Sequence, residues 1–252
     1  MSERFKPIRH QAPDSLFSKL IFNIRLLVDF QFLTIYGFLR KVMPTFEGKV
    51  LDIGCGNSPF KHLVNVQKAQ YIGLDVEEAK YFDYANPEVI YFDGENLPFE
   101  DNSIDHFICT EVIEHIPNPT KLIAEMKRAL KPTGKGIITL PWSARFHFAP
   151  YDYHRYTPSM LQQLFGAFSK ATIVNRGTDI NSIVSKLIVL YVGTCFNWSS
   201  SLGALLLSPF KLIFLLLCLP FMLLVVAWGH FALWFGWGSV DDPLGYTIIV
   251  NK

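Results

Sequence analysis

The chain has 252 residues, half of them hydrophobic, and a formal net charge of +1 at pH 7. This near-neutral balance gives no electrostatic reason to expect nucleic-acid binding, so we predict no nucleic-acid partner. Its four cysteines have neither metal-site nor disulfide spacing, which favours a reduced compartment. The mean hydropathy of +0.23 is high for a soluble enzyme. The excess is local, because residues 187–238 contain a single charged side chain, Lys211.

The first predicted element is one amphipathic helix over residues 16–43, ended by Pro44. Its four charged residues make it a poor membrane span, so we expect it to lie against the domain or in the membrane interface. The polar start of the chain is followed by no small-residue cleavage site, so we expect no cleaved signal peptide. One face of the helix carries Phe17, Leu20, Ile21, Ile24, Val28, Ile35 and Leu39.

Short apolar runs and helical patterns alternate beyond Pro44. A helix is expected from about Asn118, as its cap, to about 132, and another over 157–168 with Thr157 as cap. Strands separated by helices predict parallel βαβ units and therefore an α/β fold. The predicted strands cover residues 49–53, 71–76, 89–94, 104–110, 134–141, 170–177 and 246–251.

The segment VLDIGCGNSPF places a carboxylate at the end of the first strand and two glycines in the following turn. Gly54 and Gly56 permit positive φ and a close approach of ligand to backbone. An NAD-type site is disfavoured, because the turn has no GxGxxG and Asp52 would repel a pyrophosphate. We interpret Cys55 as a small filler of the turn and Cys109 as a core residue.

Two further strands end in carboxylates. Asp75 ends the second strand, where it can accept both hydroxyls of a ribose, although a strand-end turn residue is the alternative. Asp93 and Gly94 end the third strand, where they can read an adenine edge. The fourth strand runs into Thr110 and Glu111. Functional groups at successive strand ends of an open α/β sheet predict a nucleoside-binding crevice.

Together these segments resemble a class I S-adenosylmethionine-dependent methyltransferase of the type 11 group. The resemblance rests on residues 52–56, 73–75, 92–119 and 130–141. It implies S-adenosylmethionine as cofactor and a Rossmann-like, doubly wound sheet of seven mostly parallel strands. The last strand would be antiparallel and inserted beside the sixth.

The resemblance also implies the cofactor contacts. The glycine turn would face the methionine moiety, the second strand end the ribose and the third the adenine, with the fourth closing the floor. The implied set is Asp52, Gly54, Cys55, Gly56, Asp75, Val76, Asp93, Gly94, Glu95, Thr110 and Glu111.

His115 follows the fourth strand and is the candidate general base for a hydroxyl acceptor. The alternative is a structural role in capping or packing. Glu111, Glu114 and His115, with His147 or His154, also resemble a divalent-metal site of some ubiquinone-type and RNA-end O-methyltransferases. The EVIEH motif occurs in relatives without a metal as well, and we predict no metal here.

The loop over residues 141–157 leaves the end of the fifth strand, where acceptors dock in this kind of sheet. Its mixture of aromatic, arginine and histidine residues predicts an acceptor pocket, with a lid over the cofactor as the alternative. The candidate acceptor-binding residues are Trp142, Arg145, His147, Tyr151, Tyr153, His154 and Arg155.

The apolar region separates the sixth strand from the seventh, so an insertion that crosses a membrane must cross an even number of times. We predict a hydrophobic helical hairpin with spans at 187–207 and 212–235 and a turn at 208–211. A shallower re-entrant hairpin is an alternative, and so is a dimer interface or buried helical layer.

The expected organisation has three parts. Residues 1–44 form an amphipathic segment, residues 45–178 plus 244–252 the methyltransferase domain, and residues 179–243 a membrane-associated insertion. We expect a catalytic domain that faces the cytoplasm and O-methylates an acceptor held in the bilayer, such as a lipid-linked sugar, a lipid or a quinone. The alternative is a non-catalytic cofactor-binding scaffold docked to a membrane partner.

Overall fold

The computed structural model describes residues 12–82, 86, 88–196 and 202–252. Within them one sheet is flanked by helices on both faces. Its strands are β1 (Gly48–Ile53), β2 (Ala69–Val76), β3 (Ile90–Phe92), β4 (Ile104–Thr110), β5 (Leu130–Pro141), β6 (Lys170–Arg176) and β7 (Gly245–Asn251). The α-helices are α1 (Leu16–Val28), α2 (Phe30–Val42), α3 (Thr120–Ala129), α4 (Pro158–Leu164), α5 (Asp179–Phe196) and α6 (Leu202–Phe235).

The strands lie in the order β3-β2-β1-β4-β5-β7-β6. Neighbours from β3 to β5 are parallel, whereas β7 runs antiparallel to both β5 and β6. The predicted seven-stranded α/β sheet with an inserted antiparallel last strand is therefore confirmed. The strand order reverses between β1 and β4, which opens a crevice at the carboxyl ends of these strands.

Two apolar clusters cover the two faces of the sheet. On one face, α3 and α4 contribute Leu122, Met126 and Leu161, all at most 1% exposed. On the other face, α2 contributes Ile35 and Leu39. Each such side chain contributes about 1.5–3 kcal/mol through burial. The central strands therefore read as apolar runs, because both of their faces are covered.

The prediction of a single helix over residues 16–43 is wrong, because Asp29 interrupts the helix and separates α1 from α2. Asp29 has an extended backbone, and its side chain accepts a hydrogen bond from the amide of Phe32, 3.0 Å away, and so caps α2. The two helices are bent by 110°. We call residues 25–32 the elbow. α2 buries its apolar residues in the domain, and α1 buries Phe22 there, whereas the face of α1 with Phe17 and Leu20 is exposed.

The observed ends of α3 and α4 agree only in part with those predicted from the sequence. Thr157 caps α4 as expected, since its side chain accepts from the amide of Met160. That helix stops at Leu164, four residues before the expected end. The expected cap Asn118 is wrong, because Pro119 occupies the cap position of α3 and makes no side-chain cap bond.

The apolar region forms α5 and α6, but not with the expected boundaries. The predicted turn at 208–211 is wrong, because α6 runs without a break from Leu202 to Phe235. The expected first span, 187–207, includes the second half of α5 and the start of α6, and residues 197–201 lie outside the described residues. Among the described residues, the helix segment long and apolar enough to cross a bilayer is Phe210–Phe235, which has a mean hydropathy of 2.7. Only 17% of its apolar 18-residue stretch is buried inside the protein.

The helices α5 and α6 pack antiparallel against the elbow. The Asn181 side chain donates to the carbonyl of Gly229 at 2.8 Å, and the Tyr191 hydroxyl donates to the carbonyl of Leu215 at 2.8 Å. A Cβ at Gly229 would overlap Phe30 and Val184, so glycine permits the close approach of α6 to α2 and α5. These contacts fix α6 to the domain, while the side chains of residues 212–214 and 216–217 remain exposed.

A buried arginine joins the sheet, the elbow and the turn after β4. Arg176, the last residue of β6, donates to Glu111 Oε1 at 2.7 Å and to the carbonyl of Leu140 at 3.0 Å. It also donates to the carbonyl of Gln31 at 3.3 Å and to Thr34 Oγ1 at 3.4 Å. Burial lowers its pKa, but a guanidinium remains protonated at neutral pH, so the charge must be satisfied where it lies.

We expect Arg176→Met to lower the free energy of unfolding by about 3 kcal/mol, because it leaves the Glu111 carboxylate without its cation. Urea unfolding followed by tryptophan fluorescence measures the loss. The double variant Arg176→Met/Glu111→Gln is the matched control and should recover most of it. A single variant within 1 kcal/mol of wild type would contradict this role for the ion pair.

Candidate active site

A cavity of about 1140 Å³ lies at the carboxyl ends of β1, β2, β3 and β4. It is lined by the residues that follow these strands, by the loop after β5, by the elbow and by α5. Ligand pockets usually measure about 300–1,000 Å³, so this cavity has room for a nucleoside cofactor and a second ligand.

The turn after β1 is built by glycine geometry. Gly54 and Gly56 have φ of +70° and +50°. The amide of Gly56 donates to Asp75 Oδ2 at 2.8 Å, and the amide of Val76 donates to Asp75 Oδ1 at 2.8 Å. Burial raises the pKa of Asp75, and these two amide bonds oppose that shift. The turn after β1 and the carboxylate at the end of β2 are thus held together at one wall of the cavity.

Asp52 lies behind this turn and is not part of the cavity lining. Its Oδ2 accepts a hydrogen bond from the Tyr71 hydroxyl at 2.5 Å, and the residue is 1% exposed. Burial raises the pKa of Asp52 to about 7. The geometry gives no direct contact between this carboxyl group and a ligand in the cavity, which departs from the expected methionine contact. Cys55 is buried, and burial raises the pKa of its thiol, as suits a filler rather than a nucleophile.

Asp93 lines the cavity at the end of β3 and organises its own turn. Its Oδ1 accepts from the amides of Glu95 at 2.8 Å and Asn96 at 2.7 Å, and its Oδ2 accepts from the Asn96 side chain at 2.6 Å. These bonds from Asn96 and Glu95 lower the pKa of Asp93 to about 2. The carboxylate therefore stays ionised at neutral pH, with Gly94 beside it at φ +79°.

Ten of the eleven sequence-predicted cofactor residues line one cavity, and Asp52 is the exception. The ten residues come from four strand ends that are separated by up to 57 positions in the chain. Those that line the cavity are Gly54, Cys55, Gly56, Asp75, Val76, Asp93, Gly94, Glu95, Thr110 and Glu111.

His115 lines the cavity and has a defined tautomer. Its Nδ1 lies 2.7 Å from the carbonyl of Tyr151, and a carbonyl can only accept, so Nδ1 carries the hydrogen. The other nitrogen, Nε2, is then a lone-pair acceptor and has no hydrogen-bond partner among the described residues. Burial and the neighbouring His147 lower the pKa of His115 to about 4, which keeps the imidazole neutral at pH 7.

Glu114 is fully buried beside His115, and neither of its side-chain oxygens has a hydrogen-bond partner among the described residues. Its Oε1 lies 3.7 Å from His115 Nε2. Burial raises the pKa of Glu114, with a further contribution from Glu111. Ligand atoms of Glu114, His115 and His147 lie within 4.8 Å of one another. The set could hold a cation, provided that its atoms close to the spacing of about 3.4 Å that tetrahedral zinc needs.

This cluster differs from the metal alternative considered in the sequence. Glu111 is excluded from it, because its carboxylate pairs with Arg176 at 2.7 Å. His154 is excluded as well, since its Nε2 lies 3.1 Å from the carbonyl of Ile116. Of the two histidines considered as the additional ligand, the structure brings His147 to the cluster.

The loop after β5 is divided between the cavity and the scaffold. Arg145, His147, Tyr151 and Tyr153 line the cavity, whereas Trp142, His154 and Arg155 do not. The Trp142 indole donates to Asp242 at 2.7 Å, and the Arg155 guanidinium donates to the two oxygens of Asp152 at 2.6 and 2.9 Å. The three excluded residues hold the loop in place, so their predicted acceptor contacts are not supported by this geometry.

Sequence reasoning missed the apolar wall of the cavity. Val28 and Phe30 of the elbow and Ile188 and Val189 of α5 line it. These residues are far apart in the chain. Val28 and Phe30 belong to the predicted amphipathic helix, and Ile188 and Val189 to the first predicted membrane span. The sequence contained one sign that the amphipathic segment packs on the domain, because Arg25 and Asp29 are charged residues four positions apart in an apolar stretch. In the structure they form an ion pair at 3.1 Å.

Residues 51–138 match the family model described as a methyltransferase domain. An Archaeoglobus fulgidus S-adenosylmethionine-dependent methyltransferase of known structure superposes with a TM-score of 0.52 at 17% identity, over 92% of this chain and 99% of that one. At this identity the likeness concerns the fold. Residues 51–138 thus match a methyltransferase domain, and the fold is that of class I S-adenosylmethionine-dependent methyltransferases.

Two curated relatives are similar to this domain. A Methanocaldococcus jannaschii protein described as uncharacterized is 40% identical over 102 residues, which are 40% of this chain and 47% of that protein. The ubiquinone biosynthesis O-methyltransferase of Photobacterium profundum is 26% identical over 146 residues, 53% of this chain and 55% of that enzyme. The chain spans about half the length of the curated relatives it matches.

We expect Gly54→Ala to weaken S-adenosylmethionine binding at least tenfold and to destabilise the protein by about 2–4 kcal/mol. The added Cβ would overlap the side chain of Val112 at a residue with φ of +70°. Calorimetric titration and thermal unfolding measure the two effects. Gly37→Ala is the control: it adds a Cβ to helix α2 with nothing within 4 Å and should be neutral or slightly stabilising. Equal behaviour of the two variants would refute the assignment.

Asp52 should make stability depend on pH. Its folded-state pKa, about 7, is above the ordinary 3.8, so the stability it contributes is fully present below about pH 4 and is lost as the pH rises through 7. At roughly 1.4 kcal/mol per pKa unit, wild type should lose about 3 kcal/mol relative to Asp52→Asn between pH 5 and pH 8. Urea unfolding at both pH values tests this. Asp14→Asn, which removes an exposed carboxyl group, should show no such difference.

Proposed function

We propose that the protein transfers a methyl group from S-adenosylmethionine to an oxygen atom of an acceptor held in a membrane. The observation that carries the cofactor part is the convergence of the glycine turn, Asp75 and Asp93 on one cavity, within a chain that carries a methyltransferase domain. The cavity also has room for an acceptor beside the cofactor.

The proposed cofactor position follows from the charges and donors at each strand end. The Asp75 carboxylate, fixed by the amides of Gly56 and Val76, would accept the two ribose hydroxyls. Asp93, ionised and beside Gly94, would accept from the adenine amino group. The methionine part would lie over the turn at Gly54, where the missing side chain leaves the backbone accessible.

Methyl transfer would proceed by in-line displacement. The acceptor oxygen forms a bond to the methyl carbon while the carbon–sulfur bond breaks and its electron pair returns to sulfur. The acceptor's proton must leave, and the neutral ring of His115 would accept it at Nε2, once a shift of the surrounding side chains exposes this buried nitrogen to the acceptor. Glu114 Oε1 lies 3.7 Å from this nitrogen, but burial raises the pKa of the Glu114 carboxyl group, so it would be a polar neighbour of the ring and not a negative charge beside it. The protein otherwise supplies alignment and the exclusion of water.

The membrane part rests on exposed apolar surface. The exposed side chains of α6 include Leu217 (74%) and Trp234 (84%), and those of α1 include Leu16 (87%) and Phe17 (71%). Large exposed apolar surfaces mark protein–protein or membrane interaction sites. We propose that residues 179–243 are a membrane-associated insertion and α1 an interfacial segment, appended to a methyltransferase domain that faces the cytoplasm. The expected segment 1–44 also included α2, which packs on the sheet and belongs to the domain. The similar ubiquinone O-methyltransferase supports a lipophilic acceptor as one candidate.

The alternative is a binding module without catalysis, docked to a membrane partner. It predicts cofactor binding with no methyl transfer, or no cofactor binding at all. The cavity-lining positions Asp75, Asp93 and His115 all keep groups able to act, which favours an enzyme.

The test incubates the purified protein with membranes and S-adenosylmethionine that carries a labelled methyl group. We expect label in the lipid fraction, and a loss of at least a hundredfold with Asp75→Ala, which removes the ribose acceptor. Asp101→Ala, which removes an exposed carboxylate outside the cavity, should keep full activity. Cofactor binding by calorimetry without label transfer would favour the binding module, and label only in soluble metabolites would overturn the membrane acceptor.

A further inference from the structure

The cavity continues past the cofactor residues to an apolar wall. This wall consists of two pieces of chain, the elbow and the middle of α5, which lie 156 or more positions apart in the sequence. We define the apolar wall by its residues Val28, Phe30, Ile188, Val189, Leu190 and Val192. The elbow and α5 also line the cavity with the polar residues Arg25, Asp29, Gln31, Ser185 and Lys186.

The same cavity is also lined by the titratable side chains of Arg145, His115 and His147. A single cavity that carries both titratable groups and aliphatic side chains suits an amphiphilic ligand. Its polar head would lie near His115, and its chain would lie along the apolar wall.

The wall is fixed close to the place where the methyl group is transferred. Arg176 donates to Glu111, which lines the cofactor part, and to the carbonyl of Gln31, which belongs to the elbow. Phe30 and Ile188 belong to one buried apolar cluster, so the two halves of the wall are packed together at their base. A ligand that contacts both the wall and His115 therefore needs no rearrangement of the fold.

The wall also reaches the surface of the protein. Val28 is 40% exposed, Val189 42% and Leu190 68%. The exposed apolar residues of α1 end at Val28, and α5 packs along α6, whose opposite side is exposed. The outer end of the wall thus opens between the two surfaces that the proposed function assigns to lipid contact.

We propose that the acceptor is an amphiphile whose hydrocarbon chain enters sideways from the bilayer, between the elbow and α5, and lies against the apolar wall. This inference rests on the proposed membrane location and narrows the acceptor class to molecules with a long alkyl or prenyl chain. A chain that moves from lipid to this wall exchanges one apolar environment for another, so entry costs little, whereas entry through water would expose the whole chain.

The test uses 11-(dansylamino)undecanoic acid, a fluorescent amphiphile with an eleven-carbon chain, and the full-length protein in detergent or in phosphatidylcholine vesicles. The variants Val189→Trp on α5 and Val28→Trp on the elbow each fill the wall from one side. Leu217→Trp is the matched control, because it adds the same side chain to an exposed apolar position of α6 outside the cavity. The measurements are probe fluorescence, calorimetric S-adenosylmethionine binding and co-flotation with vesicles.

We expect both wall variants to weaken probe binding at least tenfold, and Leu217→Trp to change it less than twofold. S-adenosylmethionine affinity and vesicle flotation should stay within twofold of wild type in all three, which shows that the variants fold. Probe binding that survives in both wall variants would overturn the proposal. Absence of S-adenosylmethionine binding in wild type would instead defeat the proposed function and leave the probe result unaffected, so the two failures are distinguishable.

Discussion

The buried Arg176 guanidinium joins four separate parts of this molecule. Its charge persists at neutral pH, so every donor must find an acceptor inside the protein. It finds them on β5, on β7, on α2 and on Glu111 at the floor of the cavity. The edge of the sheet, the start of α2 and the turn after β4 are therefore fixed relative to one another. The elbow lies over the crevice because its carbonyl is one of these acceptors.

The parts of the fold that depend on local chemistry could be predicted from the sequence. A glycine turn needs positive φ, and strand-end carboxylates fall at the same edge of a parallel sheet, so the sequence alone predicts that Gly54, Asp75 and Asp93 lie together. The parts that the sequence did not predict depend on particular side-chain hydrogen bonds. The apolar periodicity of residues 16–43 continues through Asp29, but the cap bond to Phe32 turns the chain there. Asp52 fits the motif, yet Tyr71 holds it behind the turn.

In the apolar region, the sequence predicted an interruption of a helix that the structure does not have. Pro209 and the charged Lys211 predicted a turn, but α6 continues through both. A proline removes one helical hydrogen bond, whereas unwinding several residues within an apolar segment leaves many backbone groups without partners. The loop after β5 was correctly associated with the cavity, but its division into lining and supporting residues depends on the side-chain pairings of Arg155 with Asp152 and of Trp142 with Asp242. No spacing in the sequence encodes those pairings.

The hydrogen bond between His115 Nδ1 and the carbonyl of Tyr151 makes the imidazole sensitive to the shape of a distant part of the chain. Tyr151 belongs to the loop that lines the acceptor region, so the loop's backbone selects which ring nitrogen keeps its lone pair. If that loop moved away, the ring would lose the partner that fixes its proton, and Nε2 would no longer be obliged to act as the acceptor. The proton pattern of the ring is thereby coupled to the position of the loop backbone.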